Sequence, residues 1–464
     1  MGRVSFRGLF SSLVFAFFSE YNNSVSIITS VVGRSVVGRW SVSYFSHFYQ
    51  KGVRMKKLSA LGVIVFLFLT APVFAATPME EALAPYVESG AFPGFVVATA
   101  TPDEVLSIDA VGWADRENQR PMAKDTMFWM ASMTKAVVGC CAAILIDEGK
   151  LDIDAPITTY IPEFADLQVY RHEKDEAEEP IAKLRIKITS VEELNIPLTV
   201  RHCLTHTGGW RFLSPLQKTP ENMWDMTPTA LGFPPVNICC IDSQKALITY
   251  AMMGLDFQPG ERYSYSNIGI NVAQAVIERI SGMPIEQFMQ EKIFDPLGMT
   301  DTTFWPNEEQ MARMAACYVY NPETKQQIQL PYVPLLGYPY NDRSTRFAEG
   351  GGGLFSTVGD FVKFYQMLAG HGTYQGKRVL SEKACEIMTT KQTPENIEHR
   401  YGFGLDIQDK GFGHGGAAGT YGFVSKNGLV FVYAVQLQNF PKQGEPMAKV
   451  IDAAVKFCDA QKAE

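Results

Sequence analysis

The chain has 464 residues, 46% of them hydrophobic and 19% charged, with a formal net charge of −8. That balance excludes an intrinsically disordered chain and leaves ample apolar material for a core. There is no lysine/arginine tract, which argues against nucleic acid or an anionic membrane as a partner.

Residues 1–54 hold one acid, Glu20, six basic residues, and many Ser, Val and Phe without clear periodicity. This acid-poor composition fits either an organelle transit peptide or translated sequence upstream of a true start at Met55. Met55-Lys56-Lys57 opens a basic region, Leu58–Leu69 is almost continuously apolar, and Val73-Phe74-Ala75 supplies a small-x-Ala cleavage site before Ala76. These are the parts of a secretory signal peptide, too short for a comfortable membrane span. Cleavage there leaves 33 basic and 48 acidic residues, a net charge near −15. A secreted or periplasmic location without a lipid anchor follows as the expectation.

Beyond Pro78 the pattern predicts a short helix over Glu80–Glu88, then strands Gly94–Ala100 and Val105–Gly112 joined by the turn Thr101–Glu104. A nearly all-apolar helix follows over Ala131–Ile146, with Gly149 as its stop. Helices are expected near Thr199–Leu204, Asp242–Gly254, Asn267–Gly282 and Ile285–Ile293. The charged run Arg171–Glu179 reads as a solvated loop or hairpin tip. An amphipathic helix over Val358–Ala369 precedes strand-like runs at Phe403–Gln408, Tyr421–Ser425 and Leu429–Leu437. Asn427-Gly428 marks the turn between the last two, and a helix over Met447–Lys462 ends the pattern. Strands at both ends with helices between predict an α/β (α+β) fold, with one sheet assembled from both ends. The expected division is an extension (1–54), a signal peptide (55–75), an α/β domain (76–150 with 323–464) and an inserted helical domain (151–322). The eight cysteines include two adjacent pairs but no C-x-x-C and no His/Cys cluster, which argues against a zinc site. Cys140 and Cys141 read as small apolar residues of the buried helix, and a bridge from Cys239 or Cys240 stays open.

Within Ala131–Ile146 the polar exceptions are Ser132, Thr134 and Lys135. Positions i and i+3 share a helix face, so the Ser132 hydroxyl and the Lys135 amine can meet. Burial depresses a lysine from its ordinary pKa of about 10.4, and a lysine short of its proton beside a serine is a base next to a nucleophile. Alone, S-x-x-K is common by chance. Tyr265-x-Asn267 alone fits a helix cap with Asn267 as N-cap, and Gly413–Thr420 alone fits a tight glycine-rich bend.

Together, in this order and spacing, the three motifs resemble the serine β-lactamase and penicillin-binding-protein superfamily. The resemblance is closest to the branch of class C β-lactamases, DD-peptidases, D-aminopeptidases and β-lactamase-type carboxylesterases, and it runs from about Pro93 to Ala460. Leu198–Gly209, Phe294–Thr303 and Gly352–Asp360 also look like recurring phrases of that branch. The resemblance implies a β-lactamase/transpeptidase-like fold, an antiparallel sheet flanked by helices, and no cofactor. It implies Ser132 as acyl-accepting nucleophile, Lys135 as its base and Tyr265 as proton shuttle. Asn267 would hydrogen-bond Lys135 and the substrate's amide, and His414, Gly415, Gly416 and Ala417 would bind substrate, with the Ser132 and Ala417 N–H groups as the oxyanion hole. The expected partner is a small molecule or peptide carrying an acyl group. One departure stands out: the lactamase branch carries Lys-Thr-Gly where this chain has His414-Gly415-Gly416. A largely neutral histidine attracts a carboxylate poorly, which favours an ester or D-amino-acid amide over a β-lactam. A cell-wall scaffold without turnover is the reading from another class. His206 reads as a structural histidine that ties a loop.

Overall fold

The computed structural model describes residues 77–172, 188–210, 242–333, 336, 339–344 and 346–438, scattered positions between 448 and 456, and three strands within 13–41. The chain divides into two compact units, Met1–Ala75 and Ala76–Glu464. In the first, strands Leu13–Ser19, Ser24–Val31 and Arg34–Ser41 pair as an antiparallel meander. The sequence reading expected no elements there; the β-branched Val, Ile and Thr of the second and third strands suit extended pairing even without alternation. The expected signal peptide, Cys239, Cys240 and most of the expected C-terminal helix lie outside the described residues.

The second unit opens with helix α1, Pro78–Glu88. Thr77 caps it: its Oγ1 accepts from the Glu80 N–H at 3.1 Å, and the Glu80 carboxylate accepts from the Thr77 N–H at 2.9 Å. Strands β1 (Gly94–Ala100), β2 (Val105–Asp115) and β3 (Arg120–Pro121) come from this end of the chain. Strands β4 (Asp406–Gln408), β5 (Gly411–Gly416), β6 (Thr420–Ser425) and β7 (Val430–Ala434) come from the other. They form one seven-stranded antiparallel sheet in the order β4-β5-β6-β7-β1-β2-β3. The junction of the two ends is β7 against β1, with Val432 opposite Ala98.

Every residue of β1 is buried, because both faces of the sheet are covered. Phe95 and Val97 pack with Met79 and Leu83 of α1. Val96, Ala98 and Ala100, pointing the other way, join the main core. That core also takes helix α2 (Thr134–Asp147), helix α3 (Asn267–Ser281), helix α4 (Val358–Ala369) and many buried apolar residues among those described between Leu151 and Phe304. The helical section therefore shares one continuous core with the sheet, and Ala76–Glu464 is a single compact unit.

Several expectations meet the structure closely. Helix α2 is preceded by a 3₁₀ turn, Ala131–Met133, and Gly149 beyond its end has φ +66°, the left-handed stop expected. Cys140 and Cys141 are buried free thiols. Val169–His172 pairs with Ile188–Glu192, so the charged run begins at the end of a hairpin. Two motifs differ from what each fits when taken alone. Asn267 is not the N-cap: Ser266 holds that place, its Oγ accepting from the Ile268 N–H at 3.1 Å, and Asn267 is the first helical residue. The Gly413–Thr420 stretch is not a bend throughout, since Gly411–Gly416 is strand β5, paired on both sides. Glycine is required at position 413, where a Cβ would lie 2.2 Å from Gly422 O of the neighbouring strand.

Candidate active site

Ser132 stands in the turn that feeds α2, and its neighbour Ala131 has φ +48°. A non-glycine residue in the left-handed region costs about 1–3 kcal/mol and needs surroundings that enforce it. Those surroundings are explicit. The Met130 N–H donates to Leu354 O at 2.9 Å and the Trp129 indole to Gly352 O at 2.6 Å. Thr134 Oγ1 donates to Ala131 O at 2.7 Å, and Thr420 Oγ1 to Met130 O at 2.9 Å. The glycine run 350–353 and the start of β6 thus clamp the turn from two sides.

Lys135, one helical turn on, is fully buried. Its Nζ lies 3.0 Å from Ser132 Oγ, 2.7 Å from Asn267 Oδ1 and 2.5 Å from Gly351 O. Asn267 Oδ1 and Gly351 O can only accept, so two N–H bonds of Lys135 are fixed. The third direction faces the Ser132 hydroxyl, where an ammonium donates and a neutral amine accepts. Burial lowers Lys135 from 10.5 to about 7, with the Glu349 carboxylate opposing the fall. Both forms are therefore accessible near neutral pH.

Tyr265 lies over Lys135, with Nζ 4.7 Å from the ring centroid, and its phenol is hydrogen-bonded with Ser132. Burial raises its pKa above the usual phenol value, and the Ser132 bond acts against that rise. His206 positions this tyrosine: its carbonyl accepts from the Ser264 N–H at 2.8 Å and its Nδ1 from the Ser266 N–H at 3.1 Å, bracketing Tyr265. Its ring centroid is 4.4 Å from that of Tyr265. The histidine read as tying a loop does so, at the loop that carries the tyrosine.

His414 is buried on β5, its Nδ1 2.6 Å from Gly415 O, so Nδ1 carries the proton and Nε2 the lone pair. Burial lowers its pKa from 6.5 to about 4, Lys135 adds to the fall, and Asp406 opposes it. The imidazole is neutral at physiological pH. Gly416 abuts the serine turn, where a Cβ would lie 2.5 Å from Met130 O and 3.1 Å from Ala131 Cβ. Ala417 follows, exposed, in the turn to β6. Among the described residues, neither the Ser132 nor the Ala417 N–H is taken up by a backbone acceptor, so both are free to donate to a carbonyl oxygen.

The sequence reading did not find Asn271, Gln274 and Glu349. Asn271 Oδ1 accepts from the Gly351 N–H at 3.0 Å, and Gln274 Oε1 from the Gly350 N–H at 2.7 Å. Gln274 Nε2 donates to Ala348 O at 2.9 Å. Asn267, Asn271 and Gln274 fall at i, i+4 and i+7, one face of α3. That amide stripe on a helix whose other residues up to Ile277 are apolar or glycine was the available signal. Among the described residues no group of acidic, histidine or cysteine side chains could hold a metal ion.

A family model described as Beta-lactamase matches residues 79–456. Protein Rv1367c of Mycobacterium tuberculosis is 29% identical over 330 residues, 69% of this chain and 75% of that protein. Esterase EstB of Burkholderia gladioli is 32% identical over 211 residues, 46% of this chain and 47% of its own length. Among solved structures, simvastatin synthase LovD of Aspergillus terreus superposes with a TM-score of 0.65 at 21% identity, covering 83% of this chain and all of that one. That likeness shows the β-lactamase/transpeptidase-like fold.

Proposed function

Because the chain belongs to the β-lactamase family, a serine hydrolase superfamily, we propose that it hydrolyses esters through an acyl-enzyme on Ser132. The observation that carries this reading is Lys135 Nζ, held by Asn267 and Gly351 O with its remaining direction toward Ser132 Oγ. In its neutral form Lys135 takes the Ser132 proton as Oγ attacks the carbonyl carbon. The carbonyl electron pair moves to oxygen, where the Ser132 and Ala417 N–H groups receive it; one such donor is worth about 10²–10³ in rate. As the intermediate collapses, the bond to the leaving alkoxide breaks, and the alkoxide takes a proton from the Tyr265 phenol, which Lys135 re-supplies. Water then attacks the acyl-serine carbonyl carbon and gives a proton to the Lys135–Tyr265 pair; the bond to Ser132 Oγ breaks, the pair returns that proton to Oγ, and the acid is released. No cofactor enters these steps.

The neutral, buried His414 supports an ester without a carboxylate over a β-lactam or a peptide ending in one, because the cleft strand offers no cation there. The relative named an esterase supports the same choice. The whole Ser132–Lys135–Tyr265–Asn267 assembly argues against a scaffold without turnover. Hydrolysis of a short-chain nitrophenyl ester and of a chromogenic cephalosporin, with wild type and Ser132→Ala, tests the reading. Ester turnover lost in Ser132→Ala is expected, and full activity in that variant refutes the nucleophile. We also propose export with cleavage between Ala75 and Ala76; N-terminal sequencing of exported protein that begins upstream of Met55 would overturn it.

A further inference from the structure

Glu349 is buried, 2% exposed, in the loop that leads into the glycine run, and the mechanism above does not use it. Its Oε1 accepts from Asn271 Nδ2 at 3.1 Å, while Oε2 has no hydrogen-bond partner among the described residues. Gly351 sits against it so closely that a Cβ there would lie 2.3 Å from Glu349 Oε1 and 2.7 Å from Asn267 Cγ. The carboxylate is thus joined to the lysine by a short chain of bonds. Glu349 accepts from Asn271, Asn271 accepts from the Gly351 N–H, and Gly351 O accepts from Lys135. A buried carboxylate left half-satisfied is expensive unless a nearby cation compensates it.

We propose that Glu349 is a positioning residue that acts through Lys135, its charge governing when the lysine holds the proton it takes from Ser132. The other groups around Lys135 do not offer that charge. Tyr265, before α3, is a neutral phenol, and Asn267 and Gly351 O are dipoles. His414 on β5 and His206, in the loop after helix Val200–Leu204, are both kept neutral by burial. Asp406 on β4 faces His414 and is paired with His399 at 3.0 Å. Burial pushes the Glu349 carboxyl above its usual value, and Lys135, the Asn271 bond and Arg346 act against that rise in favour of the ionised form. Glu349 in turn is the group that opposes the loss of the Lys135 proton.

The proposal rests on the acyl-enzyme reading, and its test separates the two. The second-order rate at which a fluorescent alkyl fluorophosphonate labels Ser132 in the full-length protein is followed against pH. In wild type the rate rises with pH through a limb near 7, where Lys135 becomes a base. Glu349→Gln keeps the shape and the Asn271 bond but removes the charge, so the limb moves to lower pH by about one unit or more. Glu349→Asp draws the charge back by one methylene and moves the limb the same way by less. An unmoved limb in either variant, or equal shifts in both, overturns the proposal; a purely structural role would lower stability and leave the limb in place. If wild-type Ser132 is not labelled at all, the acyl-enzyme reading itself has failed.

Discussion

Gly415 and Gly416 are adjacent in β5, yet the structure predicts opposite outcomes for the same added methyl group. On Gly416 a Cβ would lie 2.1 Å from Thr420 Oγ1, 2.5 Å from Met130 O and 3.1 Å from Ala131 Cβ. Ordinary contacts between heavy atoms begin near 3.5 Å, so Gly416→Ala must drive the strand and the serine turn apart by about 1 Å. Met130 O is backbone and cannot swing away, and Thr420 Oγ1 is held by its own bond to that carbonyl. Overpacking of this kind costs about 1–3 kcal/mol of stability. A displacement of about 1 Å between the strand and Ser132 costs about 10²-fold in kcat/KM. On Gly415 the nearest atom to the added carbon is Tyr421 Cδ2 at 3.4 Å, close to an ordinary contact. Gly415→Ala should therefore leave Tm near that of wild type. Thr420→Ala in the Gly416→Ala background removes the side-chain clash but not the one with Met130 O, so it recovers part of the loss. The assays are thermal unfolding and nitrophenyl ester kinetics. If Gly416→Ala keeps both Tm and kcat/KM at wild-type values, the strand does not register the serine turn and the reasoning fails.

Three further outcomes follow from the same geometry. Wild-type kcat/KM should rise with pH through about 7, because Lys135 is a base only once deprotonated and burial lowers it to that value; a profile flat from mildly acidic to alkaline pH removes Lys135 from the role. Asn271→Ala orphans the Gly351 N–H and one Glu349 oxygen, each buried, at about 1–3 kcal/mol apiece. Chemical denaturation should show that loss, and an unchanged midpoint would mean that water replaces the amide. Thr77→Ala removes the α1 cap far from the site, so it should cost about 1 kcal/mol and leave ester hydrolysis untouched; altered kinetics would tie α1 to the reaction.

Much of this was legible in the residues. Helix α2 was visible because a nearly all-apolar run with three polar residues in its first turn has few alternatives, and the i, i+3 spacing put Ser132 beside Lys135. The hairpin of β6 and β7 was marked by Asn427-Gly428, whose glycine adopts φ +80°. Taken alone, Gly413–Thr420 reads as a bend, because the sequence does not reveal that a Cβ on Gly413 would meet the neighbouring strand; only the resemblance put His414-Gly415-Gly416 on a strand, where it lies. Taken alone Asn267 fits a cap, and Ser266 fills that place instead; the bond of Asn267 to Lys135 is the one the resemblance implies.

By itself, then, the sequence determined the elements, the order of the three motifs and the pairing of a serine with a lysine, all of which rest on spacings of a few residues. Only the tertiary structure decided what makes that pair reactive. Gly351 O reaches Lys135 from more than two hundred residues away, with Asn271 and Glu349 bonded behind it. Burial, which lowers Lys135 and keeps His414 neutral, is a property of the assembled core. Local sequence encodes which groups are present; the charge each one carries is set by neighbours that the chain supplies only when it folds.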